Sequence, residues 1–539
     1  MFKHKKEKKN KCDNDSINDC TRDCYVDLLN PKNIITPYQL TNVLIKDPKS
    51  VDPNGNFSIN PNTFSTYIKN VNIVNRVPQW LPFITNGVTN LSNINVMKYG
   101  PDGNLYIGLG GGIIVGIEVY WGIVKWDGKD FTRIGNGVGT VNAIEFDSKG
   151  TLYVAGTFSF AIPKSGQPIQ LLNNIGKYNK LTDSWEQLQC NGQIGLGNTV
   201  NALKYSSTTN RLYIGGFGGI FWGSLSSLCY LDLNLSVPII INVTYNLVSI
   251  CGTTSSQIIT GTVRCLEFDI VHQSKLYVGG RINYTTTNGL SYSGVFLGLI
   301  TDAQIITFPN FYPFIINQQS NEAYTLLSVN GSVPDKSLLY IGGDCTYIPT
   351  PLVTAQPKDT LRYLILFNPT DNSFSPISTI NINPTTTSVL FPNGIVRTIA
   401  IDSVGTLYIG GDFNTFSYID PALSNIIIPE IGVGKYAEFT NGTWSSNLYI
   451  SGSIDSIIFK NKSVKTKKDM LVGGNFTIGS NYLTGLITFT NDYINLVVDN
   501  KVLITLTGNG SSATISSNEV CGKTSGFLYS NSAYESFNN

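Results

Sequence analysis

The chain has 539 residues, 42% of them hydrophobic, and a formal charge of +1, so it can bury a large core and has no bulk attraction to nucleic acid. Only two histidines occur, His4 and His272, which nearly excludes catalytic triads and metal sites built on two histidines. No stretch approaches the roughly 18 apolar residues that a membrane-spanning helix needs.

Residues 1–70 are predicted to form an N-terminal extension with a basic start. Residues 1–11 hold six lysines and one glutamate and lead into polar residues, so we expect no secretory signal. Cys12, Cys20 and Cys24 follow within thirteen positions. Three clustered cysteines cannot all pair with one another, so the alternatives are free thiols in a solvated tail, disulfides to a neighbouring chain, and zinc binding, for which a fourth ligand is not evident. We expect no contact with nucleic acid beyond weak contact by the lysine-rich tip.

A short apolar phrase recurs seven times between residues 94 and 477. Each copy has a run of β-branched and apolar residues, a turn that often contains Asp and Gly, and a second run that ends in glycine. Strand, tight turn and strand make a β-hairpin, in which Asp opens the turn and Gly closes it with a positive φ. We therefore interpret the aspartates as turn-forming residues rather than as a calcium site. The second runs begin at Leu105, Leu152, Leu212, Leu276, Leu339, Leu407 and Met470.

Two further strands follow in each repeat. A third apolar run comes after the glycines, and a weaker fourth segment pairs an aromatic residue with an apolar residue three positions on, as in Phe131 with Ile134, Trp185 with Leu188, Phe374 with Ile377 and Tyr493 with Leu496. A tyrosine follows the leucine that begins each second run, from Tyr106 to Tyr408, and we call these residues the anchor tyrosines. Successive anchor tyrosines are 47 to 68 residues apart, and four short strands at this spacing are typical of a propeller blade. The sequence thus predicts an all-β fold, a seven-bladed β-propeller of four-stranded blades over residues 71–507. Residues 508–539 are predicted to be a polar C-terminal tail.

Two segments compete to complete the last blade. Residues 71–83 contain Ile73-Val74 and the Trp80 segment, and residues 493–507 contain two strand-like runs. We favour the Trp80 segment as the outer strand of the seventh blade. The C-terminal strands would then lie beside the ring.

The repeats resemble a family of propeller repeats with a Leu-Tyr-Val-Gly-Gly-x-Phe core. Asp412-Phe413 after Gly410-Gly411 and Asn475-Phe476-Thr477 after Gly473-Gly474 match that core closely, and the resemblance covers residues 71 to about 500. Such repeats are found in bacterial surface proteins, fungal cell-surface polarity proteins and large DNA viruses of amoebae. The resemblance, together with heavy use of Asn, Ile, Lys and Tyr, favours a giant-virus origin. It implies a fold and no particular activity, since propellers host enzymes, lectins and scaffolds alike.

A polar residue interrupts each first strand at one register. First strands line the central channel of a propeller, so we expect these side chains to face the channel. They could be a hydrated lining or, alternatively, a site for a small molecule or ion. The seven residues are Asn95, Asn142, Asn201, Arg264, Tyr324, Arg397 and Asp455.

Three insertions between strands are better candidates for protein contacts, because surface loops commonly carry binding residues. They are residues 224–263, 346–360 and 415–432, and they contain Ile, Pro and Tyr.

Catalysis is disfavoured by the scarcity of histidine. Two carboxylates could still act together as in glycoside hydrolysis, and the candidates are Glu118, Asp127, Glu145, Glu267 and Asp455. The Gly-Gly pairs and the glycine run 110–112 lie between strands rather than before a helix, so they do not predict a phosphate cradle. We expect no metal and no cofactor.

The leading hypothesis is a non-enzymatic structural or interaction protein, a component or surface decoration of a large-virus particle. It would bind other particle proteins or further copies of itself through the N-terminal extension, and its location would be the virion or otherwise the cytoplasm. One alternative is a glycan-binding or glycan-cleaving propeller. Another is an intracellular scaffold for protein interactions.

Overall fold

The computed structural model describes residues 93–478 with gaps, the longest at 307–320 and 348–358, and outside that range a set of strands between residues 42 and 82 and between 482 and 524. The described part contains no α-helix, and its named helical turn is the 3-10 turn Pro421–Leu423. The all-β prediction is confirmed. The chain divides into two compact units, residues 82–488 and residues 1–81 with 489–539.

Seven of the described sheets carry the repeated phrase, and we number them 1 to 7 in chain order. Sheet 1 contains Ile94–Tyr99, Leu105–Val115, Glu118–Trp126 and Phe131–Arg133; sheet 2 contains Thr140–Phe146, Leu152–Thr157, Ile175–Asn179 and Ser184–Glu186. Sheet 3 contains Val200–Ser206, Arg211–Gly216, Leu228–Asp232 and Ile239–Asn242, with Gln189–Cys190 and Gln193–Ile194 added beyond the fourth strand; sheet 4 contains Thr260–Phe268, Lys275–Thr285, Ser291–Thr301 and Ile305–Ile306. Sheet 5 contains Glu322–Asn330, Ser337–Tyr347, Leu361–Asn368 and Ser373–Ser375; sheet 6 contains Val396–Ile401, Leu407–Gly411, Tyr436–Thr440 and Thr443–Ser445. Sheet 7 has the order Ser451–Phe459, Met470–Ile478, Leu486–Thr490 and Gln79–Pro82, and Tyr482–Leu483 pairs with its second strand.

The turn between first and second strands is built as the sequence predicts. In sheet 6, Asp402 Oδ1 accepts hydrogen bonds from the backbone N–H groups of Val404 at 3.0 Å and Thr406 at 2.8 Å. Gly405 closes the turn with a φ of 90°, a conformation that a residue without Cβ adopts at little cost. The carboxylate thus replaces backbone partners that the tight turn cannot supply, and its role as a turn-forming residue is confirmed.

The first strands of sheets 1 to 7 form a closed cycle. Each first strand contacts the first strand of the next sheet, and that of sheet 7 contacts that of sheet 1. At this last junction the backbone N–H of Met97 donates to Ser456 Oγ at 3.3 Å, and Gly473 lies against Ile94 and Met97. Radially arranged four-stranded sheets whose inner strands close on themselves define a β-propeller.

The paired glycines in the second strands of sheets 3 to 7 allow two close approaches. A Cβ on Gly410 would lie 2.4 Å from Cγ2 of Ile454 in the next sheet, so the first glycine makes room for a neighbouring sheet. A Cβ on Gly411 would lie 2.0 Å from the carbonyl oxygen of Ile395, opposite the point where the ladder register shifts at Arg397. Both distances are far inside van der Waals contact, so these positions require glycine for packing and for a bulge. The prediction that they serve structure is confirmed.

Strands outside the repeats pair with one another at the chain ends. Asn72–Arg76 pairs with Ile494–Val498, which continues through Lys501–Gly508 to Ala513–Ser517. The strand Ile494–Val498 is therefore not a fourth strand of sheet 7, and that position is taken by Gln79–Pro82, which contains Trp80. Tyr493, the aromatic residue of the predicted fourth segment, lies outside the described residues. Ile73-Val74 likewise does not belong to sheet 7. The predicted domain boundaries at residues 70 and 507 stay predictions.

Two of the three predicted insertions are largely strand. Residues 415–432 form the hairpin Thr415–Asp420 and Ile426–Gly432, which joins Ser378–Asn383 and Thr386–Pro392 in a four-stranded side sheet. Residues 224–263 are only in part an insertion, because they supply the third and fourth strands of sheet 3 as well as the hairpin Thr244–Val248 and Thr254–Ile258. That hairpin lies between the fourth strand of sheet 3 and the first strand of sheet 4. Residues 346–360 lie mostly outside the described residues.

Candidate functional site

The seven polar residues predicted to line the channel share one structural position, a β-bulge in the first strand. At Asn201, for example, the ladder register moves from Val200 opposite Gly216 to Ala202 opposite Gly215. A bulge leaves one residue out of the ladder and re-aims its side chain. The same shift occurs at Asn95, Asn142, Arg264, Tyr324, Arg397 and Asp455.

The asparagines use these positions to join one sheet to the next. Asn95 Nδ2 donates to the Val141 carbonyl at 3.1 Å and to Asn142 Oδ1 at 3.2 Å. Asn142 Nδ2 donates to the Val200 carbonyl at 3.0 Å, and Asn201 Nδ2 donates to the Val263 carbonyl at 3.0 Å. Each amide therefore satisfies a carbonyl that the bulge has freed in the neighbouring sheet.

On the other side of the cycle, two arginines flank one aromatic ring. The guanidinium carbons of Arg264 and Arg397 each lie 5.4 Å from the centre of the Tyr324 ring, within the range of cation–π attraction. Arg264 Nε donates to Glu322 Oε1 at 2.7 Å, and Arg397 Nε donates to Asp412 Oδ2 at 2.9 Å. Neither carboxylate was predicted as a site residue: Glu322 begins a first strand, and Asp412 directly follows a second strand.

The charges in this region balance one another. Burial lowers the pKa of the Arg397 guanidinium, but Asp412 and Asp455 outweigh burial and hold it above its ordinary value. Burial raises the pKa of the Asp455 carboxyl, although Arg397 and the hydroxyl of Ser453 oppose the shift. These cations are already neutralised by carboxylates of the chain itself, so the arrangement provides no ready anion site.

A second charged layer lies three residues further along four of the first strands. Lys98 Nζ bonds Glu145 Oε1 at 2.5 Å, and Lys204 Nζ bonds Glu267 Oε2 at 2.5 Å. Burial lowers the pKa of Lys98 in spite of Glu145, whereas Glu267 and Glu145 together raise the pKa of Lys204 against burial. Lysine and glutamate alternate at this position from one sheet to the next. The alternation was not predicted, because it becomes visible only when the repeats are aligned on Asn95, Asn142, Asn201 and Arg264.

The five carboxylates considered for glycoside hydrolysis have separate partners. Glu145 and Glu267 bond lysines, Asp455 faces Arg397 at 3.7 Å, and Glu118 faces Arg133 at 3.6 Å. Asp127 Oδ1 accepts a hydrogen bond from the Asp130 backbone in a turn. No contact found among the described residues joins two of the five into an acid and base pair.

The described part of the chain has few residues of the kinds used in histidine-based or metal-based catalysis. His272 lies in the turn between the first two strands of sheet 4, where its backbone N–H donates to Asp269 Oδ1 at 2.8 Å. No group of three or more potential metal ligands occurs among the described residues. In the same residues, no helix has the length and apolar character to cross a membrane.

The described cysteines are Cys190, Cys229, Cys265 and Cys345, and each is a free thiol. Burial raises the pKa of the Cys345 thiol to about 12, so it stays protonated and unreactive at neutral pH. The predicted intermolecular disulfides of Cys12, Cys20 and Cys24 lie outside the described residues.

Of the 18 large apolar side chains exposed in the described part of the chain, 11 lie in connections between second and third strands or in the adjoining parts of those strands. In antiparallel sheets these connections are all at one end. There Ile114 pairs with Val119, and Trp121, 43% exposed, is two residues further along the same face of the hairpin. We call six of these residues, from sheets 1 and 2, the apolar rim: Ile114, Val119, Trp121, Phe160, Ile169 and Leu171.

Comparisons with protein-family models and with curated proteins give no match. Among solved structures, the chain is similar to the extracellular domain of a putative hybrid two component system from B. thetaiotaomicron, with 14% identity and a TM-score of 0.40 over 79% of this chain and 45% of that one. It is also similar to the extracellular domain of a putative one component system from the same organism, with 12% identity and a TM-score of 0.37 over 83% of this chain and 48% of that one. The chain thus spans less than half the length of each of these two structures.

Proposed function

We propose that this chain is a non-enzymatic interaction protein whose propeller binds a partner protein through the apolar rim. The observation that carries the proposal is the concentration of exposed Ile, Val, Leu, Phe and Trp side chains at one end of sheets 1 and 2. Contiguous exposed apolar surface with an aromatic anchor is characteristic of protein contacts, because its burial releases water and Trp supplies large contact area.

The rim lies on two hairpins, Leu105–Val115 with Glu118–Trp126 and Phe160–Ala161 with Gln170–Leu171. Both hairpins bond the segment between sheets 1 and 2, which gives the surface a fixed shape. The backbone N–H of Val138 donates to the Trp121 carbonyl at 3.4 Å, and that of Ile162 donates to the Gly137 carbonyl at 3.0 Å. Gly112 lies beneath the same face, where a Cβ would come within 2.9 Å of Val119 Cγ1. A preorganised surface loses little conformational entropy when it binds.

The polar residues at the bulges of the first strands support a role in holding the sheets together rather than in catalysis. The Asn95, Asn142 and Asn201 amides bond neighbouring sheets, and the arginines bond carboxylates of the chain. Side chains committed in this way hold the ring together and are not available as nucleophile or general base.

We further propose that the partner is another protein of a large-virus particle. Support comes from the resemblance of the repeats and from the basic, cysteine-bearing start of the chain, which suits anchoring in an assembly. Mass spectrometry of purified particles tests this part, with presence at structural stoichiometry expected. Absence from particles would overturn it, and stable complexes found only inside infected cells would favour the scaffold alternative.

The rim itself is tested by the double variant Ile114→Ser and Trp121→Ser. We expect binding to the particle partner to weaken by more than tenfold, since a buried Trp anchor contributes about 2 kcal/mol or more. The matched control is Leu181→Ser with Val404→Ser, two side chains that are 97% and 87% exposed in connections at the opposite end. Equal binding by the rim variant and the wild type, with both folded, would contradict the proposal.

A further inference from the structure

A cleft of about 650 Å³ lies between sheets 1 and 2 at the end opposite the apolar rim. Its walls come from the turns between first and second strands of both sheets and from the third and fourth strands of sheet 2. This volume is within the range of small-molecule sites. The cleft shares no residue with the apolar rim, so a ligand bound there is independent of the proposed function.

One wall of the cleft is aromatic. Tyr106, Phe146 and Tyr178 line it, and all three are half-buried. Tyr106 and Phe146 meet edge to face with centroids 5.0 Å apart and an interplanar angle of 71°. Hydrogen bonds from Tyr106 to Asp102 at 2.9 Å and from Tyr178 to Asp183 at 2.6 Å fix two of the rings. Because the two rings are nearly perpendicular, a ligand can stack on the face of one ring but cannot insert between two parallel rings, as a nucleotide base would.

The second wall is polar and carries more lysines than carboxylates. Lys177 Nζ bonds Glu186 Oε2 at 2.7 Å, and Asn179 Nδ2 bonds Glu186 Oε1 at 2.7 Å. The exposed side chains of Lys149 and Lys180 also line the cleft, and neither ammonium group has a hydrogen-bond or ion-pair partner among the described residues. With Asp102, the wall has three lysines against two carboxylates.

Asp102 is already engaged within its own turn. Its oxygens accept bonds from the Asn104 backbone at 3.2 Å, the Asn104 amide at 2.9 Å and the Tyr106 hydroxyl. Burial raises the pKa of Asp102, but the bonds from Tyr106 and Asn104 outweigh burial and hold it below its ordinary value. The carboxylate is therefore satisfied, and Lys149 and Lys180 are the charged groups left to meet a ligand.

We propose that this cleft binds a saccharide that carries a carboxylate, a sugar acid of the uronic type. The apolar face of a sugar ring packs on a single aromatic face, and its hydroxyls can bond Glu186 and Asn179. The carboxylate of the sugar would pair with Lys149 and Lys180. A neutral sugar would gain no ion pair from either exposed lysine, and a polyphosphate would be repelled by Asp102 and Glu186.

The test is calorimetric titration of the full chain with trigalacturonate, a matched neutral galactose trimer and AMP. We expect trigalacturonate to bind, the neutral trimer to bind at least tenfold more weakly, and the affinity for trigalacturonate to fall as salt rises. The variants Lys149→Gln and Lys180→Gln should each lower that affinity about tenfold, the scale of one charged hydrogen bond.

Lys336→Gln is the matched control, because Lys336 is an exposed lysine in the corresponding turn of sheet 5. Its affinity for trigalacturonate should equal that of the wild type. Lys149 and Lys180 are both exposed, so their variants should keep the thermal midpoint of the wild type. No binding of trigalacturonate, equal loss in the Lys336→Gln control, or tighter binding of AMP or of the neutral trimer would each overturn the proposal.

Discussion

At the scale of single residues, the anchor tyrosines bond the aspartates of their own turns in four of the described repeats. The hydroxyls of Tyr106, Tyr277 and Tyr408 donate to Asp102, Asp269 and Asp402 at 2.9 Å in each case, and Tyr153 donates to Asp147 at 3.4 Å. Burial, reinforced by Asp402, raises the pKa of Tyr408 far above its ordinary value, so the hydroxyl remains a donor at any physiological pH. One side-chain bond thus ties the second strand to the turn before it.

Tyr408→Phe should lower the free energy of unfolding by about 1–3 kcal/mol, because it leaves a buried Asp402 oxygen without its donor. Tyr408→Ala should cost about 3–5 kcal/mol, since it also removes a buried ring. Urea denaturation measures both values. The matched control is Tyr340→Phe in sheet 5, where the hydroxyl has no hydrogen-bond partner among the described residues, and a change near zero is expected. Equal costs for the two Phe variants would show that the bond to Asp402 contributes nothing.

Asp269 predicts a pH dependence of stability. Burial raises its pKa, but hydrogen bonds from Ser337, Tyr277 and the His272 backbone outweigh burial and hold the pKa below its ordinary value. A carboxyl with a depressed pKa in the folded state stabilises the fold at pH values above its unfolded pKa of about 3.9, and this contribution is lost as pH falls through the folded pKa.

Asp269→Asn isolates that contribution. The stability difference between wild type and variant should shrink as the pH falls below the unfolded pKa of about 3.9. Urea midpoints between about pH 3 and pH 7 give the comparison. A difference that does not change with pH would mean that the carboxyl titrates alike in the folded and unfolded chains.

At the scale of elements, neighbouring sheets fit through the first glycine of each pair. Gly410→Ala should destabilise the chain by about 1–3 kcal/mol, because the new methyl group would press on Ile454 of the next sheet. Gly432→Ala is the control, since a Cβ there meets nothing within 4 Å. The double variant with Ile454→Ala should cost less than the sum of the single variants, and strict additivity in denaturation curves would contradict this packing.

The hairpins and the shared register of the polar residues can be predicted from the sequence because their causes are local. The apolar strand Val396–Ile401 is followed directly by Asp402 and Gly405, which form the turn. One short segment of sequence therefore predicts both the strand and the turn. The position of Arg397 follows from its place in the same phrase.

Other features depend on segments that are distant in sequence. In the side sheet, Phe391 pairs with Ser417, and the first hairpin of sheet 6 lies between them in the sequence. The residues near either position do not predict this pairing. The bond between Lys98 and Glu145 joins two repeats, so neither residue alone indicates it. Lys149 and Lys180 lie in two different turns of sheet 2, and their positions in the sequence do not indicate that both turns line one cleft.

At the scale of the whole molecule, the basic start of the chain is predicted to link neighbouring copies or particle proteins. If Cys12, Cys20 or Cys24 forms intermolecular disulfides, native material on a non-reducing gel should show a ladder that collapses with reductant to one band near 58.9 kDa. Deleting residues 1–30 should leave a soluble, folded propeller that no longer incorporates stably into its assembly. Unchanged incorporation would assign attachment to the propeller surface, with the apolar rim as the next target.

We propose that the seven repeat sheets form a closed ring in which polar residues of the first strands bond the neighbouring sheets. An electron cryomicroscopy or crystallographic map at side-chain resolution tests it most directly. We expect seven blades, with the Asn142 amide bonded to the Val200 carbonyl of the next sheet. Six or eight blades, or axial asparagines turned away from the neighbouring sheets into the channel, would contradict the account.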